Sequence, residues 1–182
     1  ISGGIVTATG ERYGAGIGSS YDTASGTFST SADGDAVIRA SGISDQSNKN
    51  KWNGIIFEGN TGCGTVYGKV VLAEDFEIPE GNTVTIPKGM FLIIPKGIQL
   101  TVNGILVNQG EVENNGNIIH NGDIECENHS YKGYRHDDES HWQECAVCGA
   151  QTVRETHSGE AATCMEQAFC TICGISYGKL GN

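Results

Sequence analysis

The sequence predicts a mainly β protein, a parallel β-helix followed by a small metal-binding module, and three observations carry that prediction. Glycines recur at positions 81, 89, 97, 104, 110, 116 and 122, in steps of eight, eight, seven, six, six and six. Short apolar and β-branched pieces fill the intervals, too brief for helices and nearly equivalent to one another. Past residue 125 this pattern stops and two Cys-x-x-Cys-Gly turns appear, 21 residues apart. The chain therefore divides into a repeat domain, 1–125, and a module, 126–182.

At the amino end, Ser2-Gly3-Gly4-Ile5-Val6-Thr7-Ala8-Thr9-Gly10 reads as a β run. Gly14-x-Gly16-x-Gly18 follows it, but no amphipathic helix comes after, so these glycines are turns rather than a nucleotide fingerprint. Ala36–Ser41 and Trp52–Phe57 are further strands around a polar loop, 44–51. Next come three units ending Ile78-Pro-Glu-Gly81, Ile86-Pro-Lys-Gly89 and Ile94-Pro-Lys-Gly97, each a Pro-x-Gly turn. The later corners become Asn103-Gly104, Asn115-Gly116 and Asn121-Gly122, where both residue types tolerate positive φ. Between corners lie Thr83–Ile86, Phe91–Ile94, Gln99–Val102 and Ile105–Val107. A hairpin meander would alternate tight turns with longer strands, so equal strands of three to five residues favour a coiled solenoid. Stacked coils would align Asn103, Asn108, Asn115 and Asn121 as an amide ladder.

The two turns, Cys145-Ala-Val-Cys148-Gly149 and Cys170-Thr-Ile-Cys173-Gly174, each present two thiolates to one ion. The segment around them has few large apolar residues, Trp142, Phe169, Ile172, Ile175 and Leu180 being the most usable, so it needs a staple. A Cys-x-x-Cys disulfide closes too small a loop to stabilise much, whereas zinc contributes ~10 kcal/mol or more to a small finger. One or two structural zinc ions are expected. In one arrangement Cys145, Cys148, Cys170 and Cys173 share an ion as a zinc ribbon, leaving His141, His157, Cys164 and His129 for another. In the other, His141 or His157 joins the first cysteine pair and Cys164 joins the second. His120 and His136 are weaker candidates, and Cys63 and Cys126 stand apart, free or bridged to each other.

With 182 residues and a net charge of −11, the chain has room for one elongated domain and a small module, and it has no basic cluster for nucleic acid or an anionic membrane. No stretch is apolar enough to span a bilayer. The start at Ile1-Ser2-Gly3-Gly4, inside an apparent repeat, suggests a piece of a longer protein.

Segments 1–18, 36–59 and 66–122 resemble the glycine-rich repeats of large cell-surface proteins from anaerobic, gut-dwelling Gram-positive bacteria, which are similar to right-handed parallel β-helix or pectin-lyase-like folds. His141-Trp142 through Gly178, with Ala162-Thr163-Cys164 and Tyr177-Gly178, resembles the HWxxCxxCG modules of such proteins. The resemblance implies an extracellular or cell-wall-associated, non-enzymatic module, adhesive or carbohydrate-binding, with a host or dietary glycan or a surface protein as partner. The competing reading is a polysaccharide lyase or hydrolase of the β-helix type. Its carboxylates would come from Glu58, Glu74, Asp75, Glu77, Glu111, Glu113 and Asp123, but no arginine flanks an acidic pair. For sugar contact the aromatics to consider are Tyr13, Tyr21, Trp52 and Tyr67 in the repeat domain, and Tyr131, Tyr134, Trp142 and Tyr177 in the module. Trp142 reads first as core.

Overall fold

The computed structural model describes residues 4–9, 17, 28–31, 35–44, 46–59 and 61–180. The glycine run at 14–18, apart from Ile17, and Tyr13 and Tyr21 lie outside the described residues. Two compact units emerge, Ile1–Asn128 and His129–Asn182.

The first unit is a β-solenoid. It opens with β1 (Ile5–Ala8), β2 (Val37–Ala40) and β3 (Gly54–Glu58), paired in parallel. The chain then reverses through Gly59 and Gly62, both at positive φ, so that β4 (Cys63–Tyr67) runs antiparallel to β3. This one reversal departs from the all-parallel expectation. Three-sided coils follow: β4 with β5 (Lys69–Val71) and β6 (Phe76–Ile78), then β7 (Thr83–Ile86), β8 (Phe91–Ile94) and β9 (Gln99–Val102). The next coil comprises β10 (Ile105–Asn108), β11 (Glu111–Asn114) and β12 (Asn117–His120), and β13 (Asp123–Cys126) opens another. Each strand pairs in parallel with its counterpart one coil away, β4 with β7, β7 with β10 and β10 with β13.

Period-two alternation sends every second side chain inward. Those residues stack as ladders: Val84, Leu106 and Ile124 on one side, Val70, Leu92 and Val112 on the next, Phe76, Leu100 and Ile118 on the third. Leu92, Leu100 and Leu106 are almost fully buried. The ladder changes character along the coils. The buried positions before each corner are Ile78, Ile86, Ile94 and Val102 in the earlier coils; in the later ones Asn108 is buried, Asn114 and Cys126 are half-buried and His120 is exposed.

The corner glycines fall into two physical classes. Gly81, Gly89 and Gly97 sit at φ of 78°, 81° and 89°, each two residues after a proline whose carbonyl accepts the amide of the following residue, a type II arrangement. Gly104, Gly116 and Gly122 are not in the left-handed region, contrary to the expectation from the Asn-Gly pairs, and neither is Gly110. They are glycine because the coils stack so tightly that a Cβ at Gly104 would overlap the carbonyl oxygens of Asn82 and Pro79 in the coil before. The amide ladder forms in part: Asn121 donates to Asn103 (2.8 Å) and Asn103 to Glu77 (2.7 Å), linking three coils, while Asn108 is buried inside and Asn115 donates to Glu113. Trp52 is buried, edge-on to Phe28 (4.8 Å) and Tyr67 (5.4 Å). Trp52 is therefore core and unavailable to stack on a sugar.

The second unit is built from very short strands: β14 (Arg135–His136), β15 (Ser140–Trp142) and β16 (Glu155–Thr156) in an antiparallel sheet, and β17 (Ala168–Phe169) against β18 (Ser176–Tyr177). The apolar residues expected to form its core mostly face out: Phe169, Ile172 and Leu180 are exposed. Trp142 is half-buried, with the Arg154 guanidinium 3.7 Å from its ring centre. What is buried instead is Cys145, Val147, Ala168, Cys170 and His141, so the interior of this unit consists largely of candidate ligands.

Candidate metal centre

The two Cys-x-x-Cys-Gly turns fold alike. The first cysteine donates its amide to the residue five ahead, Cys145 to Ala150 and Cys170 to Ile175, both at 2.8 Å. The glycine amide returns to the same cysteine's carbonyl, Gly149 to Cys145 and Gly174 to Cys170, with φ of 74° and 75°. This left-handed residue closes the turn and leaves both sulfurs on one side.

Each turn is docked onto a His-Ser dipeptide. The Ala146 amide donates to the Ser130 carbonyl and the Thr171 amide to the Ser158 carbonyl. In each case the preceding histidine faces the second cysteine: His129 Nδ1 lies 3.4 Å from Cys148 Sγ, and His157 Nδ1 lies 3.5 Å from Cys173 Sγ. His141 Nδ1 lies 3.8 Å from Cys170 Sγ. A tetrahedral ion with metal–sulfur bonds of about 2.3 Å and metal–nitrogen bonds of about 2.0 Å would separate S and N by about 3.5 Å. The contacts match the edges of such a tetrahedron.

The structure therefore holds two Cys/His groups able to bind a metal, with ligand atoms within 4.8 Å of one another in each. His141, His157, Cys170 and Cys173 form one, entirely within the second unit. His129, Cys145 and Cys148 belong to the other.

This pairing differs from both arrangements expected from the sequence. The four turn cysteines fall into two separate groups rather than one. His141 serves the second turn although it stands four residues before the first, and Cys164 is exposed and belongs to neither group. The signal that would have paired ligands correctly is the repeated His-Ser dipeptide at 129–130 and 157–158, upstream of each turn. All seven cysteines are unbridged, so the Cys63–Cys126 disulfide is not formed. His120 and His136 are exposed and outside both groups.

Electrostatics suit a cation. Burial pushes the Cys145 thiol up, but hydrogen bonds from the Cys148 and Val147 amides, the His129 ring and the Ser130 amide bring it down to about 6. Burial likewise opposes ionisation of Cys170, yet amides of Cys173, Ser158 and Ile172 and the His157 ring lower it to about 5. Cys173 is pushed up, first by burial and then by the Cys170 thiolate beside it. A bound cation removes that conflict and lets both sulfurs ionise.

Elsewhere, four of the candidate catalytic carboxylates are engaged by neighbouring amides. Asp75 accepts the Gln99 amide, Glu77 and Glu113 accept asparagine side chains, and Glu58 accepts Gln46 Nε2. No helix among the described residues is long and apolar enough to cross a membrane. No protein-family model, curated protein or solved structure matches the chain.

Proposed function

We propose that this chain is a non-catalytic segment of an extracellular or cell-wall-associated protein, in which a β-solenoid presents a surface for adhesion or glycan contact and the carboxyl-terminal unit is stapled by two structural zinc ions. The observation that carries the reading is the group His141, His157, Cys170 and Cys173, four converging ligands at the centre of a unit with almost no other core. Two thiolates and two imidazoles leave no open coordination position on a tetrahedral ion, hence no site at which water would be activated. Borderline-soft zinc suits mixed sulfur and nitrogen donors, whereas calcium and magnesium take oxygen. A staple of this kind also keeps thiols from oxidising in an environment that would otherwise bridge them.

The solenoid supports the non-catalytic reading through Glu58, Asp75, Glu77 and Glu113, whose carboxylates are engaged in hydrogen bonds to neighbouring amides. Elemental analysis of the purified chain tests the zinc part: about two zinc ions per chain are expected, and a value near zero in the absence of chelator refutes it. Binding to a glycan array, set against release of reducing or unsaturated sugar ends, separates an adhesin from a lyase or hydrolase.

A further inference from the structure

We propose that Glu155 is a positioning residue for the second metal group, holding the outer ring nitrogen of His141 so that Nδ1 faces the ion. The inference rests on the metal-staple reading above and goes beyond it by assigning a role to a residue that is not itself a ligand.

All three candidate histidine ligands turn Nδ1 toward a cysteine sulfur. An imidazole that ligates through Nδ1 carries its proton on Nε2, which must then find an acceptor, and that acceptor fixes both tautomer and ring angle. For His157 the acceptor is plain: Nε2 lies 2.9 Å from the Asp137 carbonyl oxygen. Asp137 is in turn anchored, its carboxylate accepting the amides of Glu139 (3.0 Å) and Ser140 (2.8 Å), the Ser140 hydroxyl (2.9 Å) and Arg154 (2.8 Å).

His141 lacks any such hydrogen bond. Its side chain is 1% exposed and its Nε2 is buried with no hydrogen-bond partner. One carboxylate faces it, Glu155 Oε2 at 3.9 Å. That approach is built into the sheet. His141 and Glu155 are direct partners in the antiparallel pairing of β15 with β16, so their side chains emerge on the same face. Glu155 is 69% exposed, which leaves its second oxygen in water and avoids burying a bare charge. Metal binding through Nδ1 makes Nε2–H a stronger donor, and a small movement of the Glu155 side chain closes the remaining gap. The resulting carboxylate–imidazole–metal chain would complete on His141 what the Asp137 carbonyl does on His157.

The test uses the full chain loaded with zinc and titrated with a chelator, with ring ¹⁵N signals of His141 and His129 reporting release from the second and first groups separately. Glu155→Val keeps a good strand former but removes the acceptor; Glu155→Gln keeps an acceptor oxygen without charge. The expected result is that Glu155→Val weakens the second group 10- to 100-fold, that Glu155→Gln recovers part of the loss, and that the first group is unchanged in both. The His141 Nε2 signal should also lose its hydrogen-bonded shift in the valine variant alone. Zinc bound by the second group with equal affinity in all three proteins, or weakened equally at both groups, overturns the role of Glu155 and leaves the staple standing. Absence of zinc from the unsubstituted chain overturns the staple itself.

Discussion

The two units solve the same problem, holding very short strands together, by opposite means. In the solenoid the stabilising interactions are distributed: each inward residue is one rung among equivalent rungs, and each corner repeats the last. In the carboxyl-terminal unit they are concentrated in a few cysteines and histidines, because strands of two or three residues bury little and Phe169, Ile172 and Leu180 face solvent. The difference teaches that lesions should be graded by how much of a unit's cohesion one residue carries, rather than by how buried it is.

The largest effect separates the units. Stripping the metal with a chelator removes ~10 kcal/mol or more from the small unit, so amide-exchange protection should vanish across 129–180 while the coils β7 to β12 keep theirs. Equal loss in both units would mean that cohesion is shared. Within the solenoid, Leu106→Ala opens a cavity between Val84 and Ile124 and should cost ~2–5 kcal/mol in urea unfolding. The two glycine classes come next. Gly104→Ala drives a methyl group into backbone carbonyls and should cost ~3 kcal/mol. Gly89→Ala, with open space around it, pays only for its positive φ, ~1 kcal/mol. If the order of these two were reversed, the close-stacking explanation of the later corners would fail. The smallest effect is Asn121→Ala, which removes one exposed rung of the amide ladder and should shift stability by less than ~0.5 kcal/mol.

The solenoid was legible because its signals are local and repeated. Glycine spacing gives the corners, alternation gives the inward face, and three-to-five-residue strands argue against a meander. What it did not reveal was the reason for Gly104, Gly116 and Gly122, since an Asn-Gly pair reads as a φ requirement and only stacking reveals the carbonyls beneath. Nor did it reveal the antiparallel turn between β3 and β4. In the small unit the ligand types were legible and the pairing was not. Cysteine spacing identifies two turns but carries no information about which distant histidine completes each. His141 reaches the second turn because β15 runs beside β16, which leads directly into His157, a relation set by strand pairing. Trp52 and Tyr67, candidates for sugar contact by residue type, pack against each other, with Phe28 also edge-on to Trp52, because a repeat domain that starts with small residues needs large ones somewhere to fill its first coils.

The central claim is that each Cys-x-x-Cys-Gly turn holds its own ion together with histidine, and zinc X-ray absorption on protein of known metal content tests it most directly. The account predicts about two zinc ions per chain and a mixed first shell of nitrogen at about 2.0 Å and sulfur at about 2.3 Å. One ion per chain with a shell of four sulfurs would contradict it.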